Sequence, residues 1–191
     1  MEGMQKKLYQ AAFLKLKEQL SEQKGDFDAG SRMQVLAQLT RLRQICCDPS
    51  LCFETYDGGS AKLDTCLELV SQAAEADHKV LLFSQFTSML SIISRKLEER
   101  GIPHLMLTGS TAKEDRIALV NRFQTESVPV FLISLKAGGT GLNLTAADLV
   151  IHYDPWWNVA AQNQATDRAH RLGQEREVTV YRLIAKETIE E

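Results

Sequence analysis

The chain has 191 residues, 44% of them hydrophobic and 25% charged, with a formal net charge of −3. That balance is ordinary for a globular core, so whole-chain disorder, collagen and coiled coil are excluded. The acidic excess, 25 Asp and Glu against 22 Lys and Arg, excludes a simple basic coat for nucleic acid but not a contact made by one face.

No apolar run reaches the ~18 residues of a membrane span, and the start, Met1-Glu2-Gly3-Met4-Gln5-Lys6-Lys7, has no apolar signal region. Secretion and membrane association are therefore not expected. Cys46, Cys47, Cys52 and Cys66 form no C-x-x-C pair. They make a poor zinc set and are expected to be reduced thiols of a cytosolic protein.

The predicted elements begin with helix. Leu8, Phe13, Leu16 and Leu20 recur at helical spacing. Residues 25–30 (GDFDAG) interrupt as a turn. Met33, Leu36, Leu39, Leu42 and Ile45 mark a second helix, ended by Pro49. Phe53 to Ser60, with Gly58-Gly59, is expected to be a linker.

From Ser60 the pattern becomes strand and helix in alternation. Ser60 can cap a helix running to about Ala76. KVLLFS (79–84) has the continuous apolar character of a buried parallel strand. A helix over 87–100 follows, closed by Gly101. His104–Leu107 is a short strand. Thr111–Gln124 is a helix in which Thr111 and Glu114 have capping-box spacing.

VPVFLIS (128–134) and LVIHY (149–153) are the third and fourth strands. Asn158 can cap a helix to about Leu172. Residues 178–184 alternate as a fifth strand, and ETIEE (187–191) looks like a helix beginning. This alternation predicts an α/β fold: a parallel sheet sandwiched by helices, preceded by an N-terminal helical segment, with any ligand at the carboxyl ends of the strands. The expected division is a helical segment over 1–59 and an α/β lobe over 60–191.

Three segments at those strand ends carry chemistry. After the third strand, Ser134-Leu135-Lys136-Ala137-Gly138-Gly139-Thr140-Gly141-Leu142-Asn143-Leu144 is glycine-rich. Either its backbone approaches an anion closely or it is a tight connecting loop. It lacks the G-x-x-x-x-G-K-[ST] phosphate pattern. After the fourth strand, Asp154-Pro155-Trp156-Trp157-Asn158 holds both tryptophans, and a structural plug is the simpler reading. Then Gln164, Arg168 and Arg171, spaced four and three apart, share one helix face. Two arginines on one face suit a phosphate chain between them, or a solvated face with Asp167 as partner. Asp148 and Asp154 do not form a convincing catalytic carboxylate pair, and no nucleophile–base constellation stands out.

Taken together and in order, these segments resemble the second motor lobe of the SWI/SNF-type ATPases of helicase superfamily two, from about residue 32 to the end. RLRQICC (41–47) resembles the helix before that lobe. KVLLFSQF (79–86) resembles motif IV. Gly109-Ser110-Thr111, with Arg116 and Phe123-Gln124, resembles the next block. Residues 134–144 resemble motif V, DPWWN (154–158) the block after it, and QATDRAHRLGQ (164–174) motif VI. Asp48 stands where the family often has His, Val159 where it often has Pro, and Gln162 in a stretch usually more acidic.

The resemblance implies a RecA-like lobe that closes on a partner lobe around ATP with Mg2+. Arg168 and Arg171 are implied as arginine fingers on the γ-phosphate. Gln164 and Asp167 would lie at the nucleotide. Gly139, Thr140 and Gly141 would couple the nucleotide to the nucleic-acid track. Gln85, Thr87, Lys136 and Gly138 would face the backbone of double-stranded DNA, a contact indifferent to sequence.

The chain has neither a phosphate loop nor an Asp-Glu-x-His-like magnesium box, both of which belong to the family's first lobe. It is therefore expected to be part of a longer protein, inactive as an ATPase alone, and to hold its metal mainly through the absent lobe. Its implied setting is nuclear in a eukaryote, or cytoplasmic and nucleoid-associated in a bacterium. The alternative is a stand-alone nucleic-acid or protein binding module without catalysis. An unrelated nucleotide-binding α/β protein would need a phosphate loop.

Overall fold

The computed structural model describes residues 1–22, 28–138, 142–155, 163, 166–167, 169 and 176–191. The chain divides into two compact units, one of Met1–Asp64 with Ala185–Glu191 and the other of Thr65–Ile184.

In the first unit, α1 (Gly3–Glu22) and α2 (Ala29–Cys47) pack around buried Tyr9, Leu16, Leu42, Ile45, Cys46 and Ala185. The Asp28 carboxylate accepts from Ser31 N at 2.7 Å and so starts α2 at Ala29. The predicted turn therefore ends earlier than Gly30, and residues 25–27 of it lie outside the described residues. Asp48, extended before Pro49 as its ring requires, ends α2 and accepts from Ser50 N at 2.8 Å, which opens a 3-10 turn, Pro49–Leu51.

Ser60 acts as predicted. Its hydroxyl donates to Cys47 O at 2.7 Å and accepts from Leu63 N, at the start of α3 (Ala61–Glu75). The last residues do not begin a helix. They form turns in which Thr188 Oγ1 donates to Ala185 O, and Glu187 has φ +59. The Glu190 carboxylate accepts from Ala185 N at 2.8 Å and from the Lys62 ammonium, with both charged side chains buried.

The second unit is an all-parallel sheet. Its strands are β1 (Val80–Ser84), β2 (His104–Leu107), β3 (Val130–Ser134), β4 (Leu149–His152) and β5 (Thr179–Arg182), in the order β2-β3-β1-β4-β5. β1 and β3 are buried along their whole length, as their unbroken apolar runs predict. Phe83, Leu105, Phe123, Phe131 and Ile133 centre the core, with the Phe123 and Phe131 rings 5.2 Å apart.

α4 (Thr87–Glu99) follows β1, and Gly101 behind it has φ +67, a left-handed conformation that glycine adopts without strain. α5 (Lys113–Thr125) starts later than predicted. Thr111 does not cap it, because its hydroxyl accepts from Thr108 N at 3.0 Å within the preceding turn. Ala112 stands at the cap position without a side-chain bond. β5 is an edge strand exposed along all four residues, so its sequence alternation does not mark a buried face.

Candidate functional site at the carboxyl ends of the strands

Parallel pairing brings β1 and β3 out of the sheet side by side, with Ser84 opposite Ser134. The residues that follow emerge together at one edge. Half-buried Gln85 and exposed Thr87, the first residue of α4, follow β1. Exposed Lys136 and the backbone of Gly138 follow β3 in the short α6 (Leu135–Gly138), whose Ala137 N donates to Ser134 Oγ at 3.4 Å. Thus the four residues implied as nucleic-acid contacts share one edge of the sheet.

The exit of β4 is tied to that of β1. Tyr153 N donates to Phe83 O at 2.9 Å. The buried Asp154 carboxylate accepts from the Ser84 hydroxyl and from Gln85 N at 3.2 Å. Ser84 Oγ in turn accepts from Phe86 N at 3.1 Å and so shapes the entry to α4. Sequence reasoning set Asp154 aside, and it proves to be a clamp between two strand ends.

Asp148 lies at the opposite, amino end of β4. It accepts from His78 Nδ1 at 2.8 Å, Lys79 N at 3.1 Å and Arg176 Nη1 at 3.1 Å. Burial alone would raise its pKa, but these hydrogen bonds outweigh burial and hold it below the ordinary aspartate value. A whole strand separates the two carboxylates, so they are no catalytic pair.

Gly139, Thr140, Gly141, Gln164, Arg168 and Arg171 lie outside the described residues, as do Trp156, Trp157 and Asn158. Of that region Asp167 is exposed, with its N donating to Asn163 O at 2.9 Å. Thr166 is held from below. His152, the last residue of β4 and 1% exposed, has Nε2 2.9 Å from Thr166 Oγ1, and its ring stacks on Phe83 with centroids 5.6 Å apart. Sequence reasoning assigned His152 no role. The available signal was one polar residue at the end of an apolar strand.

Burial, aided by the nearby Arg182 charge, pushes the His152 imidazole down to about 4. The unfolded chain takes up this proton near 6.5, so between those values the unfolded state binds more protons. Stability is therefore expected to fall as pH drops from about 6.5 to about 4, and this contribution then levels off. The full effect is about 3 kcal/mol. Denaturant titrations across this range should show the slope, and His152→Leu should flatten it. An unchanged slope in the variant would place the titration elsewhere. Asp148 loses its contribution at lower pH, as it falls through that carboxyl's depressed value.

Residues 61–173 match the family model described as the helicase conserved C-terminal domain. The chain belongs to this family. Comparison with known proteins narrows this helicase C-terminal lobe to the SWI/SNF type. It is 48% identical over 163 residues to YwqA of Bacillus subtilis, covering 82% of the chain and 18% of that protein. It is 49% identical over 140 residues to the chromatin-remodeling ATPase INO80 of Sclerotinia sclerotiorum, covering 73% of the chain and 8% of that protein.

Among solved structures, the Sulfolobus solfataricus SWI2/SNF2 ATPase core in complex with dsDNA superposes with a TM-score of 0.81 at 29% identity, over 100% of this chain and 40% of that one. The chain thus spans less than a fifth of the length of these curated relatives. The match to SWI2/SNF2 cores agrees with the parallel sheet and N-terminal helices of the helicase lobe described above. No described helix is long and apolar enough to cross a membrane.

Proposed function

We propose that this chain is the C-terminal motor lobe of an ATP-dependent translocase or remodeller acting on double-stranded DNA. It supplies arginine fingers and DNA-backbone contacts, and it is inactive as an ATPase alone. The observation that carries this reading is the shared edge of β1 and β3, where Gln85, Thr87, Lys136 and Gly138 emerge beside the Asp154 clamp. In this reading residues 1–59 are the tail of the first lobe's helical protrusion plus a linker, and residues 60–191 are the lobe.

Each group has a physical task. Lys136 supplies a charge, and Gln85 and Thr87 supply neutral hydrogen-bonding groups, to phosphates of the DNA backbone. Such contacts hold register without reading sequence, which suits a motor stepping along any duplex. Arg168 and Arg171 bring guanidinium groups to the γ-phosphate of ATP held by the first lobe, where charge spreads over the transferring group. Gln164 and Asp167 orient that end of the nucleotide. Gly139, Thr140 and Gly141 link it to the DNA track.

Mg2+ is assigned to the first lobe, to which the family's magnesium box belongs. The corresponding location is nuclear in a eukaryote and cytoplasmic in a bacterium.

The test is ATP hydrolysis, with and without duplex DNA, by the chain alone and by the chain mixed with its first lobe. The chain alone is expected to stay at background, and DNA-stimulated turnover is expected only in the mixture. Clear turnover by the chain alone would overturn the proposal. Duplex binding without turnover in a covalently complete protein would favour a non-catalytic binding module.

A further inference from the structure

His152 lies where four pieces of the second unit meet. It pairs with Phe83 of β1 in register, and its carbonyl accepts from Leu183 N at 3.0 Å just beyond β5. Its ring stacks on Phe83, and its Nε2 reaches Thr166 Oγ1 at 2.9 Å. The other ring nitrogen, Nδ1, is buried with no hydrogen-bond partner among the described residues. A leucine there would fill the core without stranding a polar atom, so packing alone does not explain the imidazole. An unpartnered N–H would cost more than an unpartnered lone pair, which favours the neutral tautomer with the proton on Nε2, donating to the Thr166 hydroxyl.

We infer that His152 is a positioning residue for the segment bearing Gln164, Asp167, Arg168 and Arg171, and that it acts through Thr166. This inference rests on the motor-lobe reading above. Thr166 stands two residues after Gln164 and two before Arg168. The bond ties Thr166 to the end of the central sheet. Buried hydrogen bonds of this kind set one arrangement among several that hydrophobic contact alone would allow. Phosphoryl transfer depends on such placement, because a small misplacement of a charged group costs rate rather than binding.

The test uses the full-length protein carrying Thr166→Val, Thr166→Ser, His152→Leu, or His152→Leu with Thr166→Val. Thr166→Val and His152→Leu are each expected to lower DNA-stimulated kcat roughly tenfold or more, with KM for ATP and duplex affinity changed less than about threefold and thermal stability retained. Thr166→Ser keeps the hydroxyl and is expected to keep the rate. The double variant is expected to be no slower than the slower single one, as for two ends of one bond.

Amide hydrogen exchange should speed up in the peptide containing Thr166 in both single variants, and this readout needs no turnover. Wild-type kcat and exchange in Thr166→Val, equal effects of Ser and Val, or additive losses would each overturn the strut. Arg171→Ala run alongside separates the two ideas. If it is inactive while Thr166→Val is normal, only the positioning role fails. If Arg171→Ala is fully active, the motor-lobe reading fails, and the exchange measurement alone then decides the strut.

Discussion

Arg171→Ala in the full-length protein is expected to lower DNA-stimulated ATP hydrolysis by roughly 10³-fold, the scale on which a cationic finger acts in phosphoryl transfer. The loss should fall on kcat. In the proposed role, Arg171 would face negative charge that is present in bound ATP and is redistributed as the γ-phosphoryl group moves, so its largest effect would be on the transition state. Duplex binding should change little, because the proposed DNA contacts lie after β1 and β3, whereas Arg171 follows β4. Arg171→Lys should recover only a small part, since an ammonium cannot present two parallel N–H donors to phosphate oxygens. Steady-state turnover with saturating DNA, paired with a filter-binding measurement, checks this. A loss confined to DNA affinity would assign Arg171 to the nucleic-acid track instead.

The second large effect concerns stability. Lys62 and Glu190 form an ion pair whose side chains are 6% and 0% exposed. Glu190 Oε2 also accepts from Ala185 N, while Oε1 has no partner among the described residues. Removing the cation alone leaves a buried carboxylate without its counter-charge. Lys62→Met is therefore expected to destabilise the unit of Met1–Asp64 and Ala185–Glu191 by about 3–5 kcal/mol. Adding Glu190→Gln should recover most of that loss, because it removes the stranded charge and retains an acceptor for Ala185 N. Urea titration followed by far-UV circular dichroism reads both. A loss below about 1 kcal/mol for Lys62→Met would show that the terminal turns are held by hydrophobic contact with Tyr9 and Ile45.

The strands were legible because buried parallel strands are written as continuous apolar runs. KVLLFS and VPVFLIS each contain the strand observed, and LVIHY differs from β4 by one residue. What depended on distant partners was not legible. Nothing local shows that Ser84 donates to a carboxylate 70 positions later, or that Thr108 N occupies the Thr111 hydroxyl and leaves α5 uncapped. β5 alternates in sequence, yet it sits at the sheet edge with both faces open.

The implied DNA contacts Gln85, Thr87, Lys136 and Gly138 came from motif resemblance. Their meeting at one edge follows from the pairing of β1 with β3, which no pattern within either segment encodes. His152 is not legible as a site residue, because a single histidine in an apolar strand has the same signature whether it packs or positions.

The strand order also fixes when this lobe can be completed during synthesis. β1 is central, yet its two neighbours are β3 and β4, and β4 begins with Leu149, opposite Val80. As the chain leaves the ribosome, a mostly apolar strand waits for a stretch of roughly 70 residues before its second edge is filled, which is several seconds at ordinary elongation rates. For that interval the VLLFS segment offers unpaired backbone to any other extended chain. A nascent chain halted between Ser134 and Leu149 would hold β1 paired on one side only, in a form suited to chaperone capture or aggregation.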